Sequence, residues 1–113
     1  GVEGYVGNAG AGLLAGLYAA RLLLGQHPVI MPPATMLGAL THYVTHAAVK
    51  DFQPMKANFG ILPPLPPGPG KRERGEQYAE RALTALRRFA REHGLRYDQR
   101  AAIAQSIPVA ANE

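Results

Sequence analysis

Small and apolar residues run almost unbroken from Ala9 to Leu24, and Arg21 is the one charge among them. This pattern predicts a helix with Leu13, Leu17, Ala20 and Leu24 on one stripe, buried on most sides because polar positions are nearly absent. Asn8 is the expected N-cap and Gly25 the expected C-cap. Glycines at 4, 7, 10 and 12 crowd the approach to the helix. They allow a flat ring or a phosphate to reach unpaired N–H groups at its positive end. The competing structural reading is a close helix–helix crossing through Gly12 and Gly16.

The next stretch, Gln26 to Pro33, holds three prolines around Val29-Ile30-Met31 and reads as an extended connection. Thr35 is the expected cap of a second helix ending near Thr45 or His46. Leu37, Leu40, Tyr43 and Val44 form its apolar face, with Thr41 and His42 towards polar surroundings. The segment 51–70 carries six of the ten prolines. Its first part, Phe52 to Leu65, is too apolar for a solvated linker and is expected to be an ordered loop pressed onto a protein surface. Pro66 to Gly70 reads as a hinge. From Lys71 to His93 a third helix is expected, with Tyr78, Ala82, Leu86 and Phe89 on its apolar stripe and Gly94 as its stop. A short helical turn at 98–105 and fraying beyond Ser106 complete the reading.

Charge adds an asymmetry to this picture. Nine of the twelve Lys and Arg residues fall between Lys71 and Arg100 with five acids, so the whole excess of +4 resides there. Arg74, Arg81 and Arg88 recur every seven residues and share one helical face. That face is either a solvated surface laced with ion pairs or a track for nucleic-acid phosphates.

With no cysteine in the chain, disulfides, thiolate metal sites and cysteine nucleophiles are excluded from these residues. His42 and His46 have the i, i+4 spacing of paired zinc ligands, but Tyr43-Val44-Thr45 between them lacks a glutamate base, so no metal is expected. Gly10, Gly12 and Ala15 fit G-x-G-x-x-A, yet no full strand precedes them and no acid follows before Asp51. A dinucleotide fingerprint requires both. No apolar run has the length and purity of a membrane span, and no basic region announces a signal peptide, so a cytoplasmic setting without membrane contact is the expectation. Gly and Pro fill 23 of 113 positions, and the first helix needs more apolar neighbours than the chain supplies. A segment of something larger is therefore expected.

Two stretches, "GVEGY" with the small-residue helix "AGLLAGLYAARLL" and "DFQPMKANFGILPPL", together with "PPATMLGALTHYVT" between them, resemble the C-terminal part of the folate- and FAD-dependent tRNA uracil methyltransferases of the TrmFO family. The related GidA-type flavoproteins share the glycine-rich turn but not the "NFGILPPL" loop. The resemblance covers about residues 1 to 93. It implies an α/β parent of glutathione-reductase type whose Rossmann part and inserted domain lie outside this chain, while the chain by itself is mostly α-helical with long Pro/Gly-rich loops.

Within one FAD-binding domain, residues 1–25 would then be a flavin turn and buried helix, 26–70 a connecting helix and apolar loop, 71–94 a basic helix, and 95–113 a tail. The resemblance further implies FAD as cofactor, methylenetetrahydrofolate and NAD(P)H as co-substrates, tRNA as substrate and the upstream part of the same enzyme as partner. Glu3, Gly4, Tyr5, Gly7, Asn8 and Ala9 would contact the flavin, and Asn58, Phe59, Arg74, Arg81 and Arg88 the substrate. No catalytic residue falls in this chain, because the family's cysteines lie upstream. Where the family usually carries Glu-Ser, this chain has Gly7-Asn8, which puts one side-chain contact in doubt. The alternatives are a small basic nucleic-acid-binding module and an inactive truncated fragment without flavin.

Overall fold

The computed structural model describes residues 1–68 and 70–95. Three helices dominate: α1 over Tyr5–Leu23, α2 over Met36–His46 and α3 over Lys71–Glu92. Two short strands, β1 (Val2–Glu3) and β2 (Met55–Lys56), pair in parallel with Val2 opposite Met55 and Glu3 opposite Lys56. The described residues are thus mostly helical, as the sequence implies, with the two-stranded sheet in addition. The expected turn at 98–105, like the rest of the tail from 96, lies outside the described residues, as does Pro69 in the expected hinge.

Helix ends follow local chemistry. The Thr35 hydroxyl accepts from the Gly38 N–H at 3.0 Å and donates to the Pro32 carbonyl at 2.7 Å, tying α2 to the preceding proline turn. Gly38 is obligatory in this arrangement, since a Cβ there would sit 2.0 Å from the Pro32 carbonyl oxygen. Gly25 and Gly94, at φ of +70° and +63°, stop α1 and α3. In each case the following N–H reaches back to the carbonyl five residues earlier, Gln26 to Arg21 and Leu95 to Ala90, both at 2.8 Å.

Helix α1 corrects the sequence reading at its start. It begins at Tyr5, and the Asn8 N–H already donates to the Gly4 carbonyl at 2.9 Å, so Asn8 lies inside the first turn and is not the N-cap. Gly4 holds that place at φ +89°, with no side-chain cap. Burial departs further from expectation. Leu14 is the buried residue of the helix, whereas Leu13 and Leu24 of the expected stripe are each 74% exposed. A helix apolar all round has no phase from which the buried side can be read, and the described residues cover only one side of it. The close approach to α2 is made by Gly10, where a Cβ would stand 3.1 Å from Leu37, and by Gly7 against Val2 and Leu40. Gly12 and Gly16 face open space.

Two apolar clusters hold the helices together. Leu14, Val29, Met31 and Phe89 form the first, with Leu17, Tyr18, Leu37, Leu86 and Leu95 around it. Val29 and Met31 turn inward while Ile30 between them points out, the alternation of an extended segment. Ala39, Leu62 and Tyr78 form the second, flanked by Met36, Ile61 and Leu65.

Candidate functional site

The sheet decides what the chain can assemble. By pairing β1 with β2, it sets the Gly4 turn beside the loop that follows Lys56, joining segments more than fifty residues apart in sequence. The Met55 N–H donating to the Gly1 carbonyl at 2.9 Å extends the pairing. Around this junction Glu3, Gly4, Tyr5, Asn8 and Ala9 are all exposed, and Gly7 is half-buried. Tyr5 is 97% exposed, standing free at the start of α1. Its N–H and those of the rest of the first turn have no acceptor within the helix and face the same side as the positive end of the dipole. Of the expected flavin contacts, Gly7 has a second duty in packing α1 onto Val2.

On the neighbouring loop, Asn58 organises the backbone. Its Oδ1 accepts from the Gly60 N–H at 2.9 Å, and its Nδ2 donates to the Lys56 carbonyl at 2.8 Å and to the Met55 sulfur at 3.3 Å. The 3-10 turn Phe59–Ile61 follows. Phe59, whose burial is expected against the flavin domain of the complete enzyme, is 57% exposed to what the described residues supply. One face of its ring stacks on Tyr78 with centroids 5.2 Å apart and planes 16° apart, and the ring edge approaches Gly75 of α3. The apolar loop is therefore anchored to α3 by one aromatic face while the rest of that ring stays open.

The three arginines of α3 separate into two kinds. Arg74 and Arg88 are exposed. Arg81 is half-buried and turned onto the loop: Nη1 donates to the Pro64 carbonyl at 3.3 Å, Nη2 to the Pro63 carbonyl at 2.5 Å, and the guanidinium carbon lies 5.2 Å from the centre of the Tyr78 ring. Its Nε is shut away from solvent without a hydrogen-bond partner among the described residues. An open groove lined by Leu65, Gln77, Glu80, Arg81, Thr84 and Arg88 runs alongside. Periodicity placed these arginines on one face; only tertiary contacts distinguish them.

His42 and His46 stack with ring centres 3.9 Å apart, and the His46 Nδ1 lies 3.0 Å from the His42 carbonyl oxygen, directed at its own helix. Among the described residues no three His, Asp or Glu side chains converge as a metal site would require, and no helix is long and apolar enough to cross a membrane.

Comparison with known proteins finds similarity to one family. The chain is 56% identical over 90 residues, or 79% of its length, to the methylenetetrahydrofolate–tRNA-(uracil-5-)-methyltransferase TrmFO of Lysinibacillus sphaericus, and 53% identical over the same length to TrmFO of Ligilactobacillus salivarius. Over that length the chain is similar to curated TrmFO sequences. TrmFO of Bacillus cereus follows at 52% identity. In each case the chain spans 21% of the TrmFO relative's length. No protein-family model matches the chain, and no solved structure does.

Proposed function

We propose that this chain forms the ring-side part of the FAD site in a tRNA uracil-5-methyltransferase. The enzyme would have the α/β fold of the glutathione-reductase type and methylate a T-loop uridine at C5, with methylenetetrahydrofolate as one-carbon donor and NAD(P)H as reductant. The observation that carries the reading is the 56% identity over 90 residues to a TrmFO. Geometry supports it independently. The strand–glycine–helix element at Val2 to Asn8 leaves its backbone open, and nothing lies within 4 Å of the position a Gly4 side chain would take.

The residues fit a flavin in specific ways. Gly4 gives close access to the backbone, the first-turn N–H groups of α1 favour electron density at the edge they face, and Tyr5 offers an exposed ring beside it. A bound flavin would supply the electrons that convert a transferred methylene into a methyl group. Glu3 and Ala9 flank the same backbone. Asn58 holds the neighbouring turn in shape, and Phe59 presents a half-open aromatic face against which a flat heterocycle can stack. Arg74 and Arg88 are free to meet phosphates. The nucleophilic thiol must come from outside this chain, which has no cysteine.

The uncovered side of α1 favours a larger assembly over a self-standing basic module. Leu13, Leu22, Leu23 and Leu24 are all at least 60% exposed, an apolar surface that the upstream part of the same enzyme would bury. Grafting this chain into a full-length TrmFO in place of the matching segment tests the proposal. A yellow protein with flavin absorbance that methylates tRNA is expected; a folded, colourless product would overturn it.

A further inference from the structure

Arg81 lies on the sequence face of Arg74 and Arg88 but has been withdrawn from it. Its two terminal nitrogens donate to consecutive carbonyls, Pro63 and Pro64, and its guanidinium carbon lies over the Tyr78 ring, 5.2 Å from the centre. Tyr78 is the ring on which Phe59 stacks. Proline carbonyls suit this contact, because the Pro63-Pro64 backbone is stiff and neither residue offers an N–H to a competing partner. A guanidinium can bridge two successive carbonyls with its fork, which an ammonium on a flexible stem cannot reproduce. From α3, then, one arginine fixes the far end of the loop at residues 63 and 64 and backs the aromatic pair at its near end.

We propose that Arg81 is a positioning residue. It holds the Asn58–Phe59–Gly60 turn at its place beside the Gly4 turn, and it makes no contact with nucleic-acid phosphate. The positioning role rests on the reading of that turn as part of the substrate site; the clamp itself rests on the contacts alone. Two features of the arrangement follow. The Arg81 charge is occupied by neutral carbonyls, so the helix presents Arg74 and Arg88 to a polyanion without it. The groove beside Leu65 and Thr84 is bounded by the clamp, so loosening Arg81 would open it towards the loop.

The experiment uses a full-length TrmFO carrying this chain as its matching segment, with Arg81→Gln and Arg81→Lys, and with Phe59→Ala as the reporter on the substrate-site reading. Hydrogen exchange at 58–65, steady-state kinetics and tRNA binding across a salt series are measured on each. Arg81→Gln is expected to speed exchange in 58–65 and to raise KM for methylenetetrahydrofolate or tRNA by about tenfold, with kcat changed less than about twofold and the salt slope unchanged. Arg81→Lys, which keeps the charge but loses the fork, is expected to share the exchange and KM changes. Should Arg81→Gln fail to fold, the lysine variant carries the test. If the salt slope falls while exchange is unchanged, or if lysine fully restores the kinetics, the clamp is overturned. If Phe59→Ala raises KM and the Arg81 variants do not, the positioning role fails while the substrate-site reading stands. If none of the three variants moves KM, the substrate-site reading fails and the positioning role fails with it.

Discussion

Gly4 and Gly38 are both glycines of necessity, for opposite reasons. Gly38 has no room: its Cβ would meet the Pro32 backbone 2.0 Å away, and the proline turn is locked in turn by the Thr35 hydroxyl. Gly38→Ala should therefore cost about 3 kcal/mol, the upper part of the range for forced overpacking, and Thr35→Ala about 1 kcal/mol through loss of a cap. Thermal unfolding of the two variants in a full-length TrmFO carrying this chain checks that order. Gly4 has ample room but a φ of +89°, which a β-branched residue tolerates poorly. Gly4→Val should strain the turn and move its backbone away from the cofactor, so flavin absorbance per protein should fall severalfold, with an unfolding temperature lowered by the strain and by the loss of bound flavin. Full flavin occupancy in that variant would sink the assignment of this turn.

Elements were legible in the sequence wherever their signals had a phase. The Tyr78–Phe89 stripe stands as expected because polar and apolar positions separate sharply along α3, and the Thr35 cap and Gly94 stop stand because a hydroxyl after a proline turn and a glycine at a helix end each carry their own local signal. The phase failed in α1. Asn8 looked like a cap only because it is the polar residue in an apolar run, whereas the helix starts where the Gly4 backbone turns, which no side chain announces. For Phe59 the described residues supply one partner, Tyr78, 19 residues away, which covers one of its faces, and composition could not name that partner. The two-residue strands were too short to leave any alternation. The uncovered side of α1 makes a prediction at this scale. Gly12 and Gly16 have nothing within 4 Å here, so Gly16→Leu meets no clash from the described residues and adds helix propensity worth about 0.8 kcal/mol. In a full-length TrmFO carrying this chain, where the upstream part would press on that face, the same change should lower the unfolding temperature and the bound flavin. A gain in stability there would mean that the face stays open.

At the scale of the whole molecule, charge and apolar surface are unevenly distributed along the chain: α1 carries several exposed leucines, and the excess of +4 falls within the sequence 71–100. Sheet pairing bridges the two regions, since β2 leads into the turn that Tyr78 and Arg81 fasten to α3. The arginine periodicity alone offers three candidates for phosphate contact on α3, of which the packing leaves Arg74 and Arg88 exposed. A phosphate neutralised by one exposed arginine changes the logarithmic salt slope of binding by about one unit. The Arg74→Gln, Arg88→Gln pair should therefore lower the slope for tRNA by about two, and adding Arg81→Gln should not lower it further. The ion pair of Arg72 with Glu76, 3.8 Å apart and highly exposed, contributes little to this balance because water screens it. Which uridine is methylated should not change in the double variant, since phosphate contacts set affinity and register while the choice of base depends on the groups around it. Binding of tRNA to a full-length TrmFO carrying this chain, measured across a salt series, reads both quantities. An unchanged slope in the double variant would make the α3 face a solvated surface, and a fall by three in the triple variant would return Arg81 to the phosphates.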